Sequence, residues 1–72
     1  MNNNDLMLTK LKEYPDIMTI DHASKYLMLS KAKVYNMLTS GELKGCKMGK
    51  AWRISKENLI DYMKEVGLVS SN

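Results

Sequence analysis

Residues 18–41 read MTIDHASKYLMLSKAKVYNMLTSG, and their spacing decides the fold. Thr19 has the side chain of a helix N-cap, and Ile20, Ala23 and Leu27 follow at helical intervals with Asp21 and Lys25 between them. That stripe predicts an amphipathic helix over about residues 20–28, with Asp21 at the positive end of its dipole. Leu29 breaks the period and Ser30 is a second N-cap. A second helix is expected over about residues 31–40, burying Val34, Met37 and Leu38 and ending at Gly41, where positive φ is needed. Small residues Ala23 and Ser24 sit where the first helix must approach the second. The two helices are therefore joined by Met28-Leu29-Ser30 alone.

Beyond Gly41 the period shortens from helical to extended. Cys46 and Met48 fall on one face of a strand, Trp52 and Ile54 on one face of another, and Gly49-Lys50 between them signals a tight hairpin. Leu43 is out of phase with Cys46, so a bulge or bend is expected near Gly45. Ser55 then caps a last helix over about residues 56–66 that buries Leu59, Tyr62, Met63 and Val66 and stops at Gly67. Upstream, residues 6–13 fit a short helix capped by Asn4 or Asp5, with Met7, Leu11 and Tyr14 on one face and Pro15 as its stop. The expected fold is mostly α with a small β-hairpin: a winged helix-turn-helix, made of a helix-turn-helix, a two-stranded wing and a C-terminal helix. The expected organisation is an N-terminal arm or short helix at 1–15, the domain at 16–67 and a loose tail at 68–72.

The 72 residues leave room for one small domain, and a chain this short encloses no deep substrate cleft. The longest apolar run, Tyr26-Leu27-Met28-Leu29, is far too short to span a membrane, and Met1 to Asp5 lack the features of a secretory signal. Cys46 is the sole cysteine, which excludes an internal disulfide and a cysteine-based zinc site. The net charge of +3 hides a strong segregation. Residues 22–56 hold eight basic side chains against Glu42 alone, net +7, while the remaining residues sum to −4. A one-sided positive field of this kind suits a polyanion such as nucleic acid. No nucleophile–base pair, carboxylate pair or glycine-rich phosphate loop is present, so a binding protein without enzymatic activity is expected.

From Met18 to Met63 the chain resembles the excisionase-type DNA-binding domains, small winged helices related to the mercury-resistance regulator superfamily. The resemblance is carried by Met18-Thr19-Ile20, Ala23, Leu27, Leu29-Ser30-Lys31, Val34-Tyr35, Ser40-Gly41-Glu42-Leu43, Lys47-Met48-Gly49, Trp52-Arg53-Ile54 and Leu59-Ile60-Asp61-Tyr62-Met63. Three departures stand out. His22 replaces a glutamate, removing the expected capping-box partner of Thr19. Met28 replaces a turn glycine, at about 1 kcal/mol if positive φ is kept. Lys44 replaces a proline and adds to the basic face.

The resemblance implies a recognition helix in the major groove and a wing against the neighbouring backbone or minor groove. At about 100° per residue, Ala32, Asn36 and Thr39 point away from the buried Val34, Met37 and Leu38, and Lys33 and Ser40 flank them. Asn36 suits adenine, and Ala32 or the Thr39 methyl suits a thymine methyl. Lys33 reaches a guanine edge or a phosphate; Lys31 and the Ser30 hydroxyl suit phosphate. Tyr35 lies at the flank, with its hydroxyl on phosphate or its ring partly in the core. In the wing, Lys47 and Arg53 are expected on the face opposite the buried Met48, Trp52 and Ile54, with Lys50 at the tip; Lys50 and Arg53 are the main contacts and Lys47 supports them. Trp52 and Cys46 read as core, His22 as a surface residue.

Two roles fit. The favoured one is a recombination directionality factor that bends DNA and assists a site-specific integrase in excising a mobile genetic element. The other is a small transcriptional regulator, a repressor of a phage, plasmid or mobile element. The expected partners are double-stranded DNA, an integrase and further copies of the chain on adjacent sites. No cofactor, metal, membrane or small-molecule ligand is expected, and the expected location is cytoplasmic and nucleoid-associated.

Overall fold

The turn after the first helix of the pair sets the architecture. In a computed structural model that describes residues 3–69, α1 (Asn3–Leu11) is followed by β1 (Ile17–Met18), α2 (Ile20–Leu27), α3 (Lys31–Ser40), β2 (Cys46–Met48), β3 (Ala51–Ser55) and α4 (Lys56–Glu65). The fold is a winged helix-turn-helix. Met28 adopts the left-handed conformation, φ 59° and ψ 41°, with its side chain 89% exposed. Its N–H donates to the Lys25 carbonyl at 3.3 Å and the Leu29 N–H to the Ser24 carbonyl at 2.9 Å, closing the end of α2 as a Schellman motif. Ser30 then restarts the chain as N-cap of α3, its Oγ accepting the Lys33 N–H at 3.1 Å.

The start of α2 corrects the sequence reading. Thr19 Oγ1 accepts the His22 N–H at 3.2 Å, and His22 Nδ1 accepts the Thr19 N–H at 3.1 Å, so the capping box is complete. An imidazole with no proton on Nδ1 performs the glutamate's part. His22 is half-buried rather than a free surface residue, and its ring meets Tyr14 edge-on at 6.1 Å.

The expected two-stranded wing is present as β2 and β3, and a third strand, β1, extends it into a three-stranded sheet. β3 is central, with β2 on one edge and β1 antiparallel on the other, pairing Ile17 with Ser55 and Met18 with Ile54. The two-residue turn sets Met48 opposite Ala51, hence Lys47 opposite Trp52 and Cys46 opposite Arg53. Cross-strand partners share a face, so Cys46, Met48 and Arg53 lie on one side and Lys47, Trp52 and Ile54 on the other. Cys46 is accordingly exposed rather than core, Met48 is 63% exposed rather than buried, and Lys47 and Arg53 point to opposite faces. A two-residue loop does not allow Cys46 and Met48 to point inward together with Trp52 and Ile54.

The core joins Met18, Ala23, Val34, Met37, Leu38, Leu43, Ile54, Leu59 and Met63. Leu43 enters it where the chain bends at Glu42 and Leu43, and Gly45 follows in a close approach where a Cβ would lie 2.6 Å from Leu38 Cδ2 and 3.1 Å from the Arg53 carbonyl oxygen. Leu11 and Val69, on either side of the 16–67 segment, also close the core. α1 begins at Asn3, so Asn4 and Asp5 lie inside the helix rather than capping it. Tyr26 ties α1 down: its hydroxyl donates to the Met7 carbonyl at 2.6 Å, and Tyr14 packs edge-on at 5.5 Å. Burial, reinforced by Tyr14, pushes the Tyr26 phenol pKa up. Ser55 caps α4, accepting the Asn58 N–H at 3.1 Å. Val66, expected in the core, is exposed, because α4 ends at Glu65 and the chain turns at Gly67 to bring Val69 inward. Of the expected loose tail, residues 70–72 lie outside the described residues.

Two substitutions check this account by urea or thermal unfolding. Met28→Gly relieves the left-handed strain and raises stability by about 1 kcal/mol. His22→Ala removes one arm of the capping box and lowers stability by about 1 kcal/mol, whereas His22→Gln, which restores an acceptor, retains most of it.

Candidate nucleic-acid interface

α3 buries Val34, Met37 and Leu38, which leaves the opposite side of the helix in solvent. Ala32, Asn36 and Thr39 form the centre of that side, and all three are exposed. The Thr39 hydroxyl donates to the Asn36 carbonyl at 3.1 Å, and among the described residues the Asn36 carboxamide makes no hydrogen bond. At 100° per residue Lys33 lies on one flank, and Lys31 and Tyr35 on the other. Tyr35 is 47% exposed, so its ring is not part of the core.

The second flank meets the wing. Lys31 and Tyr35 of α3, Thr19, Ile20 and Asp21 at the start of α2, and Lys50 to Arg53 of the hairpin line a single groove. The sequence reading placed Lys31, Tyr35, Lys50 and Arg53 on two separate elements; the structure brings them to one surface. Lys33 and Lys47 lie outside this groove. Arg53 is half-buried and its Nη1 donates to the Trp52 carbonyl at 3.0 Å, which holds the guanidinium along the strand. Trp52 packs against the core, yet its Nε1 is buried without a hydrogen-bond partner among the described residues. Ser30 is committed as the α3 cap, although its hydroxyl hydrogen is still free to donate.

The sequence marks Asp21 only as an outward-facing acid at the positive end of the α2 dipole, not as part of the interface. Its Oδ1 lies 3.1 Å from Lys31 Nζ and its Oδ2 lies 3.3 Å from Lys25 Nζ. These two ammonium groups, Lys31 first, hold the carboxyl below the usual carboxylate range. Helical spacing reveals the Lys25 partner, four residues on. The Lys31 partner depends on the angle set by the Met28 turn, which periodicity does not encode. Among the described residues, Lys33, Lys44, Lys47, Lys50 and Arg53 make no ion pair. Also among the described residues, no group of three metal-ligating side chains comes together, and no helix is long and apolar enough to cross a membrane.

A family model described as a helix-turn-helix domain matches residues 17–66, well over half of the chain, and the chain belongs to that family. No curated protein and no solved structure matches the chain. Helix-turn-helix domains are DNA-binding modules whose second helix is the reading element, and the second helix of the pair is α3.

Binding driven by this surface is electrostatic and salt-dependent. With about four unpaired cations on phosphates, the log–log dependence of affinity on salt has a slope of roughly −3 to −4. Fluorescence anisotropy on a mixed-sequence duplex measures it. Lys50→Ala and Arg53→Ala each make the slope shallower, by about 1.

Proposed function

We propose that the chain binds double-stranded DNA sequence-specifically, with α3 in the major groove and the wing against the adjacent backbone, and that it serves as an architectural excisionase. The observation that carries the reading is the groove that Lys31 and Tyr35, at the flank of α3, share with Lys50 and Arg53 of the wing, in a chain of the helix-turn-helix family. Asn36, Ala32 and Thr39 face base edges. Lys33 reaches a guanine edge or a phosphate, and Lys31, Tyr35 and the Ser30 hydroxyl contact the backbone of one strand. Lys50 and Arg53 hold the backbone flanking that groove, with Lys47 in support. Asn36 has the donor and acceptor that adenine presents in complement, and among the described residues its carboxamide makes no hydrogen bond.

The excisionase role rests on the resemblance of residues 18–63 to that group and on the small size of the domain. Such a domain covers a short site, so several copies act side by side, and an integrase is the partner that uses the bent product. DNA bending separates this role from that of a repressor. Bending a 20–30 base-pair site costs about 1–6 kcal/mol, which helix and wing contacts together offset.

The test begins with a duplex enriched from a random pool by the protein itself. Asn36→Ala costs about 1–3 kcal/mol on that duplex and much less on mixed-sequence DNA. Energy transfer between labelled duplex ends then rises as copies bind, and a cognate integrase excises faster in the protein's presence. Straight DNA and unchanged excision would assign the chain to repression instead.

A further inference from the structure

The groove between α3 and the wing carries three cations, Lys31, Lys50 and Arg53, and among the described residues lining it Asp21 is the only acidic one. Its position is unusual for a surface meant to meet a polyanion. The carboxylate sits at the mouth of the groove, two-fifths exposed, and bridges Lys31 of α3 and Lys25 of α2 at 3.1 and 3.3 Å. It is ionised at neutral pH, because both ammonium groups favour the charged form.

We infer that Asp21 is a built-in competitor for DNA phosphate, holding Lys31 and Lys25 in an internal ion pair and limiting the affinity of the groove for any duplex. This inference rests on the DNA-binding reading above. An exposed pair of this kind contributes little to folding, so its removal leaves the domain intact. Its effect on a polyanion is larger. In the free protein Asp21 neutralises a cation that otherwise contacts phosphate, and in the complex its own charge faces the backbone across the same groove. Both effects weaken binding, and both act irrespective of base sequence, since they involve phosphate alone.

The partner lysines set the sign of every outcome. Lys31 makes no phosphate contact without first leaving Asp21, so the Lys31 contribution is smaller in the wild type than in a variant lacking the carboxylate. Asp21→Asn keeps the size and the hydrogen-bonding capacity near the N-terminus of α2 while removing the charge.

Anisotropy titration of a mixed-sequence duplex against wild type, Asp21→Asn, Lys31→Met and the double variant tests this, with urea unfolding of each variant alongside. Asp21→Asn is expected to unfold at nearly the wild-type midpoint. It binds roughly three- to tenfold more tightly at moderate salt, with a slope steeper by up to about 1 as Lys31 joins the phosphate contacts. Lys31→Met costs more affinity in the Asp21→Asn background than in the wild type. Unchanged or weaker binding by a folded Asp21→Asn variant overturns the inference. So does an Asp21→Asn variant that fails to fold, because Asp21 is then a structural clamp. A wild-type chain that does not bind the duplex contradicts the proposed function itself, a result distinct from binding that ignores Asp21.

Discussion

Everything on the candidate DNA-binding side of this protein depends on the angle between α2 and α3, and that angle is set by one residue in the left-handed conformation. Met28 turns the chain with two backbone hydrogen bonds and no side-chain help, its own thioether lying in solvent. Because the turn is this tight, Ala23 comes against the second helix, and Val34, Met37 and Leu38 are forced into the same core as Ile54 and Leu59. The outward direction of Ala32, Asn36 and Thr39 follows from that burial, not from any preference of their own. A methionine here costs more than a glycine, and the cost is tolerated because the apolar stripes of both helices bury nowhere else.

The sheet does the corresponding work for the wing. β3 is paired on both edges, by β1 and by β2, so the hairpin is anchored at its base while its Gly49-Lys50 tip projects. The register then distributes chemistry to two faces. Trp52 and Ile54 point to the helices, whereas Arg53 leaves β3 on the opposite face, beside Cys46 and Met48, and also borders the groove shared with Lys31 and Tyr35. The Arg53 guanidinium is held along the strand by the Trp52 carbonyl. The positive charge of the central segment thus reaches the surface from two elements with separate supports, and Asp21 stands between them.

Much of this was legible in the sequence. Long periodic stretches with side-chain caps read correctly: Thr19, Ser30 and Ser55 start α2, α3 and α4, and Gly41 ends α3 at φ 85°. The misreadings share a physical cause, namely that they concern pairings between segments rather than periods within one. β1 is two residues long and carries no alternation to detect; only the free edge of β3 defines it. The inward assignment of Cys46 and Met48 treated each strand alone, although the two-residue loop already fixed their partners. His22 was judged by its departure from glutamate, while its spacing of three from Thr19 and the lone pair of its imidazole were the relevant facts. For the interface, the exposed α3 residues followed from helical geometry, but the groove shared by Lys31, Tyr35, Lys50 and Arg53 required the assembled fold.

The central claim is that α3 and the wing form one surface for duplex DNA. Amide chemical-shift mapping during titration with a mixed-sequence duplex tests it residue by residue. The account predicts that the largest changes fall on residues 30–40 and on the Lys47–Arg53 hairpin, with α1 and the outer side of α4 nearly silent. Changes concentrated on α4 around Glu57, Asp61 and Glu65, or none at saturating DNA, would contradict it.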